Sequence, residues 1–270
     1  CGVGNGSDAL EIGLIAIGIK KGDEVITATN SWVSSLNSIL NIGAKPILVD
    51  VDNDFNIDSK QIKKAITKKT KAIMPVHLNG LPANMFEISK IAKKYKLKII
   101  EDSAQAILSK YHNEYAGTIG DVGCFSMHPT KNLGVAGDGG FITTKYKNIF
   151  KKIKLISNHG MDKKGNSVMV GRNSRLDEIQ AEFILHKINY LKKDTKRKRQ
   201  IASKYTQALN KLVKTPYTKS HSKILHTYHR YVIMLKNKKE RDALKNYLIK
   251  NNIETKIHYP KPIHKFKCFA

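Results

Sequence analysis

The chain has 270 residues, with 48 Lys or Arg against 22 Asp or Glu, a formal charge of +26. That length suits one large α/β domain plus a smaller appendage, and no apolar run approaches the length of a bilayer-spanning helix. Only six of the basic residues are Arg, whereas nucleic-acid surfaces lean on Arg for bidentate contacts, so the charge reads as solvated Lys-rich faces that leave room for an anionic small substrate.

The opening run Gly2-Val3-Gly4-Asn5-Gly6-Ser7-Asp8 is glycine-rich and leads into a helix predicted from a Ser7 cap to about Ile19. Backbone N–H groups at such a helix start bind phosphate; the alternative is a tight turn with a serine cap. It is a weak dinucleotide signature, because the third glycine comes one position early and no strand precedes it. A strand at Glu24–Thr27 follows, then a helix near Ser31–Leu40 that begins beside Trp32, the single tryptophan. Trp32 is either a core residue or a ring that stacks on a flat ligand. Pro46–Asp50 is the next strand, and Asp58 caps a helix to about Ile66.

Strand Lys71–Val76, helix Asn84–Tyr95 and strand Leu97–Glu101 complete a β-α alternation that predicts a largely parallel sheet covered on both faces. Asp102 falls at the carboxyl end of its strand, where ligands bind in such sheets, while Glu101 points to the opposite face. An Asp there also commonly caps the next helix. Gln105 lies within reach of the same pocket. His77, at another strand end, either faces the pocket or bonds to backbone.

Short strands near Val122–Ser126 and Gly140–Thr144 flank the loop His128-Pro129-Thr130-Lys131, which is followed by the Gly-rich stretch 134–140. A lysine between glycines, with a strand-end carboxylate, is what a pyridoxal phosphate site needs. The lysine forms the Schiff base, and the carboxylate keeps the pyridine nitrogen protonated so that the ring acts as an electron sink. The Ser126 hydroxyl sits where it would take a phosphate while Lys131 reaches the aldehyde carbon.

Helices are predicted over Tyr146–Ser157, Ser174–Ile188 and Asn189–Leu212, with Asn173 or Ser174 capping the second. The basic run at 192–199 reads as a solvated helix face. From His226 a small α+β unit is predicted: strand Tyr228–Leu235, helix Lys238–Lys250 and strand Thr255–His258. This places the large α/β domain at residues 1–200 and the smaller C-terminal α+β domain, incomplete, at 201–270. Cys1, Cys124 and Cys268 form no CxxC pair, and His226, His229, His258 and His264 are dispersed. No metal or disulfide signature is present, and a reducing cytoplasm fits. The chain does not begin with Met, and both ends read as cut from a longer protein.

Several ordered motifs together carry a family resemblance over essentially the whole chain: GVGNGSDALEIGL, GDEVITATNSWVSS, KTKAIMPVHLNGLPANM, EDSAQA, GDVGCFSMHPTKNLGVAGDGGFITT, GRNSRLDEIQAEF and IHYPKPIH. They resemble the DegT/DnrJ/EryC1/StrS sugar aminotransferases, pyridoxal phosphate enzymes of fold type I. The resemblance implies that Lys131 bonds the cofactor and then relays the proton. It implies that Asp102 pairs with the pyridinium, Gln105 bonds the ring hydroxyl and Trp32 stacks on the ring. Ser126 and the backbone around Gly6, Ser7 and Asp8 would hold the phosphate, and Asn173 would reach a partner subunit's cofactor phosphate across a homodimer interface.

The activity implied is transfer of an amino group, with glutamate as donor, to a nucleotide-linked keto-deoxysugar for amino-sugar biosynthesis. The NSRLDE segment is similar to the versions that install a 3-amino group on dTDP-linked deoxysugars. The alternatives are a sugar dehydratase of the same fold, in which His replaces the lysine in some relatives, and a catalytically silent, cofactor-binding regulatory protein.

Overall fold

The computed structural model describes residues 1–216 and 223–269. A seven-stranded sheet organises the molecule. Its strands are β1 (Gly2–Val3), β2 (Glu24–Ala28), β3 (Lys45–Val49), β4 (Thr70–Met74), β5 (Lys98–Asp102), β8 (Val122–Ser126) and β9 (Gly140–Thr143). Their spatial order is β1-β9-β8-β5-β4-β2-β3. β3, β2, β4, β5 and β8 run parallel, while β9 runs antiparallel to both β8 and β1. A hairpin of β6 (Lys110–Tyr111) and β7 (Glu114–Tyr115), extended by β10 (Ile224–Leu225), forms a separate small sheet.

Strand alternation divides the core in two. Val25, Ala72 and Ile100 join Leu10, Ile12 and Leu14 of α1 (Gly6–Ala16) and Ile149 and Ile153 of α5 (Lys147–Ile156) in one cluster. Their sequence neighbours Ile26, Ile73 and Ile99 join Ile62 of α3 (Ser59–Ala65) and Met85, Ile88 and Ile91 of α4 (Met85–Tyr95) in the other. Burial on both faces is why these strands read as unbroken apolar runs, and the sheet is α/β with helices on each side. Among the described residues no helix is long and apolar enough to cross a membrane.

Some expected elements are corrected. Asn5, not Ser7, caps α1, its side chain accepting the Asp8 N–H at 2.8 Å. The two helices expected between Ser174 and Leu212 are a single helix, α6 (Glu178–Leu209). Asn189 does not interrupt it, because its Nδ2 donates back to the Leu185 carbonyl one turn earlier. Tyr228–Leu235 and Thr255–His258 form no strands. The backbone bonds of the first go elsewhere: Thr227 N–H donates to Gly80 O and His229 N–H to Asn79 O, leaving one bridge between Met234 and Lys214. Helix α7 (Lys238–Lys250) lies where expected, as does α2 to within two residues (Val33–Asn41).

The buried pair His77–Glu101 ties the sheet to its loops. Glu101 accepts from Gly117 N–H, Ile119 N–H and Gly120 N–H at 2.7–2.8 Å and lies 2.8 Å from His77 Nε2. His77 Nδ1 accepts the Ala83 N–H, so Nε2 carries the ring proton and donates to the carboxylate. Each donor is satisfied only while both oxygens of residue 101 accept. Glu101→Gln turns one oxygen into a donor facing buried N–H groups. A loss of about 3 kcal/mol is expected in the urea unfolding free energy, with the unfolding midpoint lowered.

Candidate active site

The start of α1 meets the carboxyl end of β8, which pairs in parallel with the carboxyl end of β5. Gly6 opens α1 directly against Ser126, the last residue of β8. A Cβ at position 6 would sit 2.6 Å from Ser126 Cβ, so only glycine lets the helix start meet that hydroxyl. Asp8 N–H is taken by Asn5, and the Asp8 carboxylate accepts from Ser174 Oγ and Arg172 Nη1. Gly6 and Ser7 therefore present the N–H groups at this end, and the positive end of the helix dipole adds to them. The Ser7 hydroxyl donates to Ser34.

Asp102 ends β5 and is only 5% exposed. Its Oδ2 accepts the Ser35 hydroxyl at 2.7 Å, and its Oδ1 accepts Ala104 N–H at 3.2 Å. Ser35 also lies 2.8 Å from Ser31 Oγ. A carboxylate has no proton to give, so Ser35 donates to Asp102 and Ser31 donates to Ser35. This chain of buried hydroxyls satisfies one of the two acid oxygens. Gln105 is fixed at both ends of its amide, accepting Asn79 N–H at 2.8 Å and donating to Tyr259 Oη at 3.2 Å. The Tyr259 ring lies 6.2 Å from that of Trp32, tilted by 42°. Trp32 is 59% exposed, which is unusual for so large an apolar ring and leaves a face open for a flat ligand.

Lys131 stands in the loop after β8, half-buried. Its N–H donates to His128 O, and Val135 N–H closes the loop onto Met127 O. Helix α6 holds the loop from outside: Lys187 Nζ donates to Gly134 O and Lys198 Nζ to Asn132 Oδ1, both at 2.7 Å. Burial lowers the Lys131 amine below the ordinary lysine value, Asp102 partly restores it, and Arg230 lowers it further. A lysine so placed is more often neutral, and so nucleophilic, at moderate pH.

The structure thus sets Gly6 against Ser126, links Trp32 through Tyr259 to Gln105, and places Lys131 within electrostatic reach of Asp102. Asn173 is exposed and pairs with Asn158 rather than pointing among them. Its neighbours anchor it to α1. Ser174 accepts Gly4 N–H and donates to Asp8. Arg172 forms a close ion pair with Glu11, at 2.6 Å but off the line of a hydrogen bond. His77 is turned away, bonded to Glu101 and backbone. Ser31, Ser35, Asn79, Tyr259 and Arg230 belong to the site without having been singled out in the sequence. Ser35 and Tyr259 lie inside quoted motifs, SWVSS and IHYP, but nothing in residue type or spacing marks them.

These residues fit pyridoxal phosphate. The glycine-walled helix start suits a dianion, the buried carboxyl of Asp102 suits a pyridinium, the open Trp32 face suits a ring, and the Lys131 amine suits an aldehyde. Among the described residues no group of His, Cys, Asp and Glu is arranged to hold a metal ion.

Comparison with known proteins agrees. The model of the DegT/DnrJ/EryC1/StrS aminotransferase family matches residues 1–270. The chain is 44% identical over 271 residues to dTDP-3-amino-3,6-dideoxy-alpha-D-galactopyranose transaminase of Aneurinibacillus thermoaerophilus, covering all of this chain and 73% of that protein. It is 43% identical to a pleiotropic regulatory protein of Geobacillus stearothermophilus, covering all of this chain and 72% of that one. The crystal structure of S. venezuelae DesV in complex with a ketimine intermediate superposes with a TM-score of 0.94 at 33% identity, over 99% of this chain and 72% of that one.

The lowered Lys131 amine is directly measurable in cofactor-free protein. Its labelling by an amine-specific reagent, followed by peptide mass spectrometry against pH, is expected to reach half-maximum below the ordinary lysine value of 10.5. Asp102→Asn removes the charge that raises the amine, so its midpoint is expected to move lower still. A midpoint that rises in this variant contradicts the assignment.

Proposed function

Because the chain belongs to the DegT/DnrJ/EryC1/StrS aminotransferase family, we propose that it moves an amino group from glutamate to a nucleotide-linked keto-deoxysugar, with pyridoxal phosphate as cofactor. The observation that carries this reading is the buried, hydroxyl-supported Asp102 whose charge reaches the depressed Lys131 amine. When bound, the cofactor supplies an electron sink and stores the amino group between two half-reactions.

The chain's own residues do the rest. Asp102 would hold a positive charge on the ring nitrogen, Gln105 would bond the ring hydroxyl, and Trp32 would cover one face. Ser126 and the N–H groups of Gly6 and Ser7 grip the phosphate, with Asp8 shaping that end through its bonds to Asn5 and Ser174. With the cofactor bound, the free Lys131 amine would take the proton from the donor's α-carbon and later return one to the sugar carbon. That first transfer uses the neutral amine, and burial shifts Lys131 in that direction.

The named activities of the relatives support a nucleotide-linked sugar as acceptor, here for an amino sugar of a surface polysaccharide, glycan or secondary metabolite. A homodimer with Asn173 reaching the partner's phosphate is part of the proposal. Ile179, Leu185 and Ile188 of α6 and Val170 beside Asn173 are more than half exposed, an apolar face of the sort that subunit contacts cover. A cytoplasmic location accompanies it. Presence of lysine rather than histidine at position 131 favours transamination over dehydration. The regulatory reading has the Geobacillus relative's name behind it, but such a role does not require the Lys131–Asp102 pairing.

Protein supplied with pyridoxal phosphate, glutamate and a panel of dTDP- and UDP-linked keto-sugars is expected to release 2-oxoglutarate. Lys131→Ala is expected to lose the visible cofactor band and to fall at least about a thousandfold in turnover. An intact band with no 2-oxoglutarate on any acceptor would favour the regulatory reading.

A further inference from the structure

Helix α2 starts in an uncommon way. A serine at a helix start ordinarily caps it, because its oxygen takes an orphan backbone N–H. Here Trp32 is the N-cap, and no side chain caps the helix. The serines around it, Ser31, Ser34 and Ser35, bond elsewhere. Ser31 Oγ lies 2.8 Å from Ser35 Oγ, and Ser35 donates to Asp102 Oδ2 at 2.7 Å. Ser34 Oγ accepts the Ser7 hydroxyl at 2.9 Å. The helix forgoes its cap, and its hydroxyls serve other elements.

Consecutive helical residues point about 100° apart, so Ser34 and Ser35 reach different elements. Ser34 meets the start of α1, and Ser35 meets the end of β5. Two pairs of hydroxyls therefore run through one turn. The pair Ser31 and Ser35 is buried and ends on an acceptor, the Asp102 carboxyl. The pair Ser7 and Ser34 ends on a donor. Ser7 gives its proton to Ser34, and among the described residues no acceptor takes the proton of Ser34. Ser34 is only partly buried, and its hydroxyl bonds the residue whose N–H opens α1.

We infer that this turn of α2 sets the cofactor site from both ends: Ser34 donates to the phosphate, and Ser35 is a positioning residue that aims Asp102 at the ring nitrogen. This rests on the pyridoxal phosphate reading and adds two residues to it. A dianion calls for donors, and Ser34 holds an unspent one beside the N–H groups of Gly6 and Ser7. A carboxyl group turns freely unless its oxygens are held. The Ser35 hydroxyl on Oδ2 and Ala104 N–H on Oδ1 fix its plane and leave each oxygen a lone pair. Trp32 begins the same turn, so ring cover, phosphate donor and acid brace share one rigid piece of backbone.

The test measures binding to cofactor-free protein by calorimetry, with ligands that form no bond to Lys131. Pyridoxamine phosphate carries both polar ends. Pyridoxamine lacks the phosphate, and 1-deazapyridoxamine phosphate has carbon in place of the ring nitrogen. Ser34→Ala is expected to raise Kd roughly tenfold for the two ligands that carry phosphate, the worth of a hydrogen bond to a charged group, and to leave pyridoxamine unchanged. Ser35→Ala is expected to raise Kd roughly tenfold for the two that carry the ring nitrogen and to leave the deaza ligand unchanged. Ser34→Thr and Ser35→Thr keep the hydroxyl and should restore most of the affinity. A merely structural role would weaken all three ligands alike. That outcome, unchanged Kd values, or a loss that follows the wrong end of the ligand each overturn the inference. Wild-type protein that binds none of the three overturns the cofactor reading as well, so the two failures are told apart.

Discussion

Two adjacent carboxylates end β5, and most of the site depends on how each buried side chain spends its acceptor oxygens. Strand alternation sends Glu101 and Asp102 to opposite faces. Glu101 spends its acceptors on three loop N–H groups and His77, which fixes the approach to β8 and hence the height of Ser126. Asp102 takes one hydroxyl and one N–H, and each oxygen still has a lone pair to offer. The first acid is therefore closed and structural. The second is supported but open, with acceptor capacity left for a further donor.

The same separation governs the positive charge. Most of the +26 is surface lysine, where water screens it and single pairs contribute little. A few cations work differently because they are partly withdrawn from water. Lys187 and Lys198 lie along α6 and donate into the loop that carries Lys131, so the basic run expected to be a solvated face supplies, at Lys198, a specific internal bond. Arg172 braces the start of α1 through Glu11 and Asp8. Net charge says little about these roles; burial and partner geometry define them.

The parallel sheet was legible because its strands are short apolar runs buried on both faces, with Asp58 and Asn84 marking helix starts as their side chains cap them. Lys131, Asp102 and Ser126 were legible through their place at strand ends and between glycines. What failed was long-range. Tyr228–Leu235 has the residue types of a strand, yet its N–H groups find the turn at Asn79 and Gly80, and no local pattern reveals a partner so distant in sequence. Ser174 has the residue type of a cap and sits before a helix, but Asp8 and Gly4 claim its hydroxyl, and α6 starts later. Ser35 is one serine in a helix; only the fold shows that its single proton points at Asp102.

The irregular segment 226–230 has a physical reason to stay out of the sheet. A strand would pair its N–H groups regularly and alternate its side chains, turning His229 and Arg230 to opposite faces. Bonding both residues to the single carbonyl of Asn79 breaks that alternation, and Tyr228 adopts a positive φ of 46° just before them. His226 stacks on Tyr228 with ring centroids 3.8 Å apart and accepts its N–H. Burial holds the His226 ring neutral, with its pKa lowered to about 3. The local cost of that turn is offset by stacking and by a clamp on the same loop that orients Gln105. What the turn gains is a position outside the sheet from which the Arg230 charge is felt at the Lys131 amine, beside a His229 ring that burial keeps neutral.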